Sequence, residues 1–559
     1  MWPLIARTGC SLLTAGAFLA ILEPAAAARI EPIDAAEVGR SIYRDGVTSL
    51  GAPIRASRDG RTTVQGAAVA CVNCHRRSGL GAVEGRTKTP PIAGAYLFRS
   101  STSRATASDL PYVEAVRADR AAYTEATLAR AIRDGIDADG RKLSYLMPRF
   151  ELGDDDMSRL IGYLRQLDPK HAPGVQPVDL HLATVIAPDA DPVQRKGMMS
   201  VLEQFFAERN VRQRAPSPQL VTSARNNYSQ MMFRPARHWH LHVWELSGPT
   251  PTWRTQLERN LAAQPVFAVV SGLGGASWSP VQEFCEHAAL PCLFPNVAAI
   301  PEESARSHYS LYFTRGVNLE ADLLVKRLVD QPGDTRAAKV VLQVYRAESA
   351  GQAGAEDLAR KLSAKGVTVR RRVLPAGTTT GGAGLSFDGG EVASADALVL
   401  WLPPADLAAL QALPPESTSI YVSGLLGGLE RAPVSAAWRS RVRLTYPVDL
   451  PERRQVRVDF ALGWFRAERI ELVAPQIQVD TYLACSLLSE TLNHMSDAMV
   501  RDYLMERLED TIEHRIMTGY YPRLALGPGQ RYASKGGYMV RLREAPGAGV
   551  VAEGEWMVP

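Results

Sequence analysis

Cysteine is scarce, with six in 559 residues. That density excludes a disulfide scaffold. Only one CxxC spacing occurs, so the paired CxxC sets of structural zinc modules are missing. A dominant charge is also lacking: 63 Lys and Arg stand against 59 Asp and Glu, and the net charge is +4. No basic stripe with interleaved aromatics occurs, which removes the case for a nucleic-acid partner. Beyond residue 28 no apolar run is long enough to span a bilayer. Nucleophile elbows, P-loops and dinucleotide fingerprints are absent, and the glycine turn Gly272–Gly275 lacks the G-x-G-x-x-G spacing. What is present is a globular composition, 46% hydrophobic and 22% charged. Its length calls for roughly two to four domains.

The N-terminus reads as a targeting segment. Arg7 gives a short positive region, Ser11 to Leu22 is apolar but short for a span, and Pro24 precedes four alanines. Cleavage is expected near Ala27 or Ala28, with an uncleaved anchor as the alternative. Cys10 precedes the apolar run, which argues against a lipoprotein. The mature chain is therefore expected in the periplasm, soluble and without a membrane span.

One stretch carries strong chemistry. Cys71-Val72-Asn73-Cys74-His75 is C-x-x-C-H, the attachment spacing for a c-type haem. Two thiols can form thioethers, and the next residue, His75, can stand under the iron as axial ligand. The alternatives are a chance CxxC, a zinc site or a redox pair. Helices are expected at Ala35 to Tyr43, Thr124 to Asp134 and from Asp154 onward. The last shows Met157, Leu160, Ile161 and Leu164 on one face. Pro90-Pro91-Ile92-Ala93-Gly94 is a rigid apolar turn suited to a haem edge.

This first segment resembles a class I cytochrome c domain, with one helix leading to CxxCH and a last helix packing back. The stretch TLARAIRDGIDADGRKLSYLMPRF resembles the part of such domains that ends at the distal methionine. The resemblance implies an all-α cytochrome c domain, one haem c held by Cys71 and Cys74, and iron ligation by His75 and Met147. Met157 is the competing sulfur, but its helix face suggests packing. The insertion Ser100 to Ala122 is expected to cover a haem edge or a partner surface.

Residues 169–178 form a proline-containing linker, and the pattern then changes to alternating strands and helices. Near-continuous apolar runs, as in LHLATVIA at Leu180 to Ala187, read as buried parallel strands. A second lobe repeats the plan from Lys339. A long helical stretch is expected from Asp480 to Arg515. PVFAVVSGLGGASWSPVQEFCEHAALPCLFPNV, SLYFTRGVNLEADLLVKRL with the strand and helix after it, and GPGQRYASKGGYMVRL carry a second resemblance. They resemble the type I periplasmic binding protein-like fold of branched-chain amino-acid receptors. The implied fold class is multidomain: an all-α cytochrome c domain (30–168) followed by a two-lobed α/β domain with parallel sheets (179–542). A signal peptide (1–28) precedes them and a tail (543–559) follows.

In the second fold a ligand sits between the lobes. A strand-to-helix turn can hold a carboxylate there through backbone N–H groups. Ser271, Gly272, Gly274 and Ser277 are candidates on that turn; an ordinary glycine turn is the alternative. Tyr345, Arg346, Glu348 and Trp401, near strand ends of the second lobe, are candidates for the same cleft or for edge packing. His238, His240 and His242 alternate on one strand face, a spacing that can bind zinc. No carboxylate or cysteine beside them completes a set, so packing or a solvated strand end is expected. Cys285 and Cys292 lie across a helix-to-strand turn, and their bridging is left open; Cys485 is expected to be buried.

The function expected is periplasmic electron transfer through one haem, with the second domain holding a redox partner or a small solute. The partner would be a dehydrogenase or another cytochrome. The alternative is a solute-binding sensor or receptor in which the haem is a redox reporter. A haem enzyme is disfavoured, because Met147 would close the second axial position.

Overall fold

The computed structural model describes residues 35–58, 62–100, 120–167, 172–214, 237–301, 307–330, 337–377, 385–387, 390–495, 498–527, 529–544 and 549–559. The stretch expected to be a signal peptide, with Arg7, Cys10, Ala27 and Ala28, and most of the insertion after Ser100 lie outside them.

The first unit is built on two crossing helices, Ala35–Asp45 and Asp154–Gln166. Gly39 allows their close approach: a Cβ there would lie 2.3 Å from the Arg159 carbonyl oxygen. Met157, Leu160, Ile161 and Leu164 are buried as the helical period demands. Each such side chain stabilises the unit by about 1.5–3 kcal/mol. The Glu125–Asp134 helix begins on a Thr124–Thr127 capping box and ends at Gly135, whose φ of 68° closes it.

The all-α unit expected from the sequence is not what forms, because five short strands accompany its helices. β1 (Arg55–Arg58) and β2 (Thr62–Gln65) lie antiparallel. β3 (Ala82–Glu84) and β4 (Thr87–Thr89) form a hairpin. β5 (Arg149–Glu151) pairs with β1 and completes a sheet of order β2-β1-β5. These strands are short and largely polar, so no apolar alternation marks them; their backbone groups still need partners, and pairing supplies them.

The next lobe has five parallel strands: β6 (Asp179–Ile186), β7 (His238–Glu245), β8 (Ala268–Val270), β9 (Cys292–Leu293) and β10 (Ser310–Leu311). Their order is β10-β9-β8-β6-β7. The Pro192–Arg214, Trp253–Ala263 and Ser279–His287 helices alternate with them. In the second lobe β11 (Val340–Arg346), β12 (Thr368–Leu374), β13 (Ala397–Trp401), β14 (Ser419–Ser423) and β15 (Val442–Tyr446) are parallel. β16 (Tyr538–Leu542) and β17 (Val550–Ala552) extend that sheet antiparallel, in the order β12-β11-β13-β14-β15-β16-β17. The sheet thus runs past residue 542 into the expected tail.

Two helical expectations change. The Asp480 to Arg515 stretch is two helices, Pro475–Met495 and Arg501–His514. The Pro451–Ala467 helix was not foreseen, because only Arg454, Ala461 and Phe465 are buried on it and no apolar period shows. It runs from one lobe to the other. Arg454 bonds Glu430 at 2.7 Å near its start, and Trp464 Nε1 donates to Glu208 at 2.9 Å near its end. No helix among the described residues is long and apolar enough to cross a membrane.

Candidate functional site

The C-x-x-C-H segment forms a single helical turn, Val72–His75, with Cys71 as its cap. That turn faces a cavity of about 610 Å³ lined by Cys71, Cys74, His75 and Met147 together with Pro90, Pro91 and Ile92. The size falls within the ~300–1,000 Å³ typical of cofactor sites. Cys71 and Cys74 are free thiols. His75 is buried, and its Nδ1 lies 3.0 Å from the Pro90 carbonyl. A carbonyl only accepts, so Nδ1 carries the proton and Nε2 keeps its lone pair. Burial pulls the His75 pKa down to about 4, which holds that ring neutral. Met147 lines the cavity, while Met157 is packed in the core, 3% exposed. The donor set, an imidazole and a thioether on one apolar cavity with two thiols beside it, fits a haem c. Arg58, Arg86, Lys88 and Arg120 also line the cavity, against the carboxylates of Glu84 and Asp137.

The residues just after this motif are fastened to the two-lobed region. Ser78 donates its N–H and its hydroxyl to Glu506, at 2.9 and 2.6 Å. Burial pushes the Glu506 carboxyl up to about 8. One turn earlier on the same helix, Asp502 accepts from Arg44 at 3.0 Å and from the Tyr309 hydroxyl at 2.8 Å. Arg77 lies 3.6 Å away. Burial raises the Asp502 pKa, but His308, Arg44 and Arg77 outweigh it and hold it at about 2. Arg501 of that helix donates to the carbonyls of Val266, Ala288 and Ala289 in the first lobe. The motif, the Arg501–His514 helix and the first lobe are thus one packed unit.

Between the lobes lies a second cavity, of about 520 Å³. Ser277, Trp278 and Ser279 line it from the first lobe, and Asn318, Glu356, Asp357 and Arg360 from the second. Trp278 Nε1 and Asn318 Oδ1 are buried without a hydrogen-bond partner among the described residues. Such groups are expensive to leave unpaired, by about 1–3 kcal/mol each. Asp357 is paired with Lys361 at 2.7 Å and with Arg360.

Of the cleft residues read from sequence, Ser277 lines this cavity and the others do not. Ser271 is fully buried, its hydroxyl 2.9 Å from Thr481 Oγ1 and accepting from Asn296 Nδ2 at 2.9 Å. Gly272 and Gly274 are covered by the Trp278 ring. The N–H groups expected to hold a ligand carboxylate are taken by the chain itself. Gly275 and Ala276 donate to Asp189, at 3.3 and 2.7 Å. Gly275 permits this, since a Cβ there would lie 2.3 Å from Asp189 Oδ2. Tyr345 and Trp401 are core residues, 4% and 1% exposed, and Trp401 Nε1 donates to Gln343 at 2.8 Å. Arg346 grips Asp406 through two bonds of 2.6 Å, and Glu348 does not line the cavity. Sequence reasoning missed Asn318, Asp357 and Asp189. The acid just past the first strand of the lobe was the one legible signal among them.

His238, His240 and His242 do share a face, and the carboxylate that the linear sequence did not place beside them is Asp179. β6 and β7 pair in register, Asp179 opposite His238 and His181 opposite His240. Cys285 and Cys292 are unbridged thiols in contact, both buried, and Cys485 is buried in the Pro475–Met495 helix.

No protein-family model and no curated protein matches the chain. Solved structures of similar architecture do occur. A fatty acid ABC transporter substrate-binding protein from Thermomonospora curvata is 15% identical, with TM-score 0.45 over 70% of this chain and 95% of its own. The branched-chain amino acid transporter substrate-binding protein LivJ from Streptococcus pneumoniae, in complex with isoleucine, is 14% identical, with TM-score 0.45 over 68% and 100%. An ABC transporter solute-binding protein from R. palustris, in complex with benzoate, is 12% identical, with TM-score 0.46 over 68% and 97%. What stands for this chain is the architecture seen above, two α/β lobes on parallel sheets with a cavity between them.

Proposed function

We propose that this chain is an exported, periplasmic solute-binding receptor whose first unit carries one covalently held haem as a redox reporter. The observation that carries the receptor reading is the interlobe cavity, which Ser277 and Ser279 line from one lobe and Asn318, Glu356 and Asp357 from the other. A small polar solute held among these polar side chains would be bound by both lobes at once. With Asp189 on the backbone N–H groups, the solute is not anchored there by a carboxylate.

The haem assignment rests on the other cavity. Cys71 and Cys74 would hold the group covalently, and His75 Nε2 and the Met147 thioether would be donors to its iron. A haem held there supplies reversible one-electron transfer. His75 is oriented by Pro90, Pro91 and Ile92 give the cavity an apolar edge, and the Glu506 seam ties this unit to the lobes. A second reading is an electron carrier for a periplasmic redox partner. It is favoured by Met147 lining the same cavity as His75, so that the chain itself would supply two donors to an iron held there.

The test is a thermal-shift screen of the haem-loaded full chain against small polar solutes, alongside its visible spectrum. A hit at about 100 times Kd stabilises by about 2.7 kcal/mol. N318A should abolish the shift, and the hit should alter the reduction potential. Stabilisation that survives N318A, or a chain with no hit and normal electron exchange, refutes the receptor reading in favour of the carrier.

A further inference from the structure

The start of the first lobe holds a cluster that neither cavity uses. β6 and β7 are parallel neighbours, so residues paired across them project from the same face. Asp179 and His181 of β6 therefore stand with His238, His240 and His242 of β7. His240 Nε2 is 2.7 Å from Asp179 Oδ1. His181 stacks on His240 with ring centroids 4.7 Å apart, and its Nδ1 is 3.0 Å from His242 Nε2. One ligand atom from each of Asp179, His238 and His240 lies within 4.8 Å of the others. The Nδ1 atom of His238 is buried and has no hydrogen-bond partner among the described residues.

Ordinary packing does not explain this set. A buried imidazole nitrogen without a partner is destabilising, and five polar residues gathered at a sheet edge add little apolar burial. The other face of these strands shows what packing looks like: Leu180, Leu182 and Trp239 are buried there against Met198, Val201 and Phe206. We infer that Asp179, His238 and His240 form a binding site for a divalent transition-metal ion. Two imidazoles and one carboxylate suit Zn²⁺ and its neighbours, whereas Mg²⁺ and Ca²⁺ prefer all-oxygen sets. Three protein donors leave one tetrahedral position for water. The ligands are half-buried, so an ion has access from solvent.

The position suggests the consequence. Asp179 opens β6 directly after the linker, and His238 opens the edge strand β7. The site lies at the N-terminal ends of these strands. The solute cavity draws its first-lobe residues from beyond the C-terminal ends of the sheet strands. A metal there fastens the edge strand to its neighbour without touching either cavity.

The experiment uses the haem-loaded full chain, stripped with a chelator and titrated with Zn²⁺ alone, with zinc counted by mass spectrometry. One equivalent is expected, with a rise in melting temperature. D179A and H240A should each weaken binding at least tenfold, since losing an outer-shell partner already costs about 10–100-fold. H242A should retain the stoichiometry. D179N serves should D179A fail to fold, and the emission of Trp239 and Trp244 checks the strand. No bound zinc, binding unchanged in D179A and H240A, or equal loss in H242A each overturns the assignment.

Discussion

Replacing Asp502 with Ala tests whether the motif-bearing unit and the lobes form one cooperative structure. Asp502 is 13% exposed at its side chain and holds Arg44 and the Tyr309 hydroxyl. Its carboxyl sits at about 2 against an ordinary 3.8. That lowering favours the folded state at neutral pH by about 2 kcal/mol. Removing one partner of a buried pair destabilises by about 3–5 kcal/mol, because the other charge stays buried and unpaired. D502A should therefore lose about 3–5 kcal/mol of stability, read by urea unfolding through tryptophan emission. Every tryptophan among the described residues lies at or beyond Trp239, so this signal reports the lobes alone. Protease sensitivity of residues 172–178 should rise as the first unit detaches. A control, E84A, removes only the exposed Arg76 pair at 2.8 Å and should change stability by about 0–1 kcal/mol. If D502A unfolds like the wild type and its linker stays protected, the seam does not hold the units together.

Glu506 gives a pH signature. Its folded pKa of about 8 exceeds the ordinary 4.5 of a glutamate, so the folded state keeps a proton that the unfolded chain gives up. This stability is full below about pH 4.5 and is lost as pH rises to 8, at up to about 1.4 kcal/mol per unit. E506Q should flatten that slope in urea melts at stepped pH; an unchanged slope assigns it to another group. D189A frees the N–H groups of Gly275 and Ala276, so the variant should gain affinity for small carboxylates by at least about tenfold, measured calorimetrically. No gain would mean that the turn collapses without Asp189. M147A should convert a low-spin visible spectrum to high-spin if Met147 is the sixth ligand, whereas M157A should leave the spectrum unchanged while lowering stability by about 2–5 kcal/mol.

Legibility followed the range of the interactions. The helices over 35–45 and 154–166 and most strands of both lobes, though not β10, β16 or β17, were readable because burial leaves an apolar period or an apolar run in the local sequence. The Pro451–Ala467 helix was not, since it bridges two lobes and its buried face includes Arg454. The short strands β1, β2 and β5 exist because loop backbone needs partners, which leaves no mark in side-chain pattern. Ser271, Tyr345 and Trp401 sat at the right strand ends, but strand position does not say whether a side chain points into a cleft or a core.

By itself the sequence determined what is covalent and local. Two thiols and an imidazole within five residues are set on one turn by their spacing alone, before any distant contact forms. Tertiary structure decided everything that depends on distant residues meeting. It set Met147 on the cavity that His75 faces, filled the anion turn with Asp189, and brought Glu506 to Ser78 across more than 400 positions. It also set Asp179 beside His240, 61 residues away. A side chain's partners are fixed by strand pairing and helix packing, and neither is written in the residues adjacent to it.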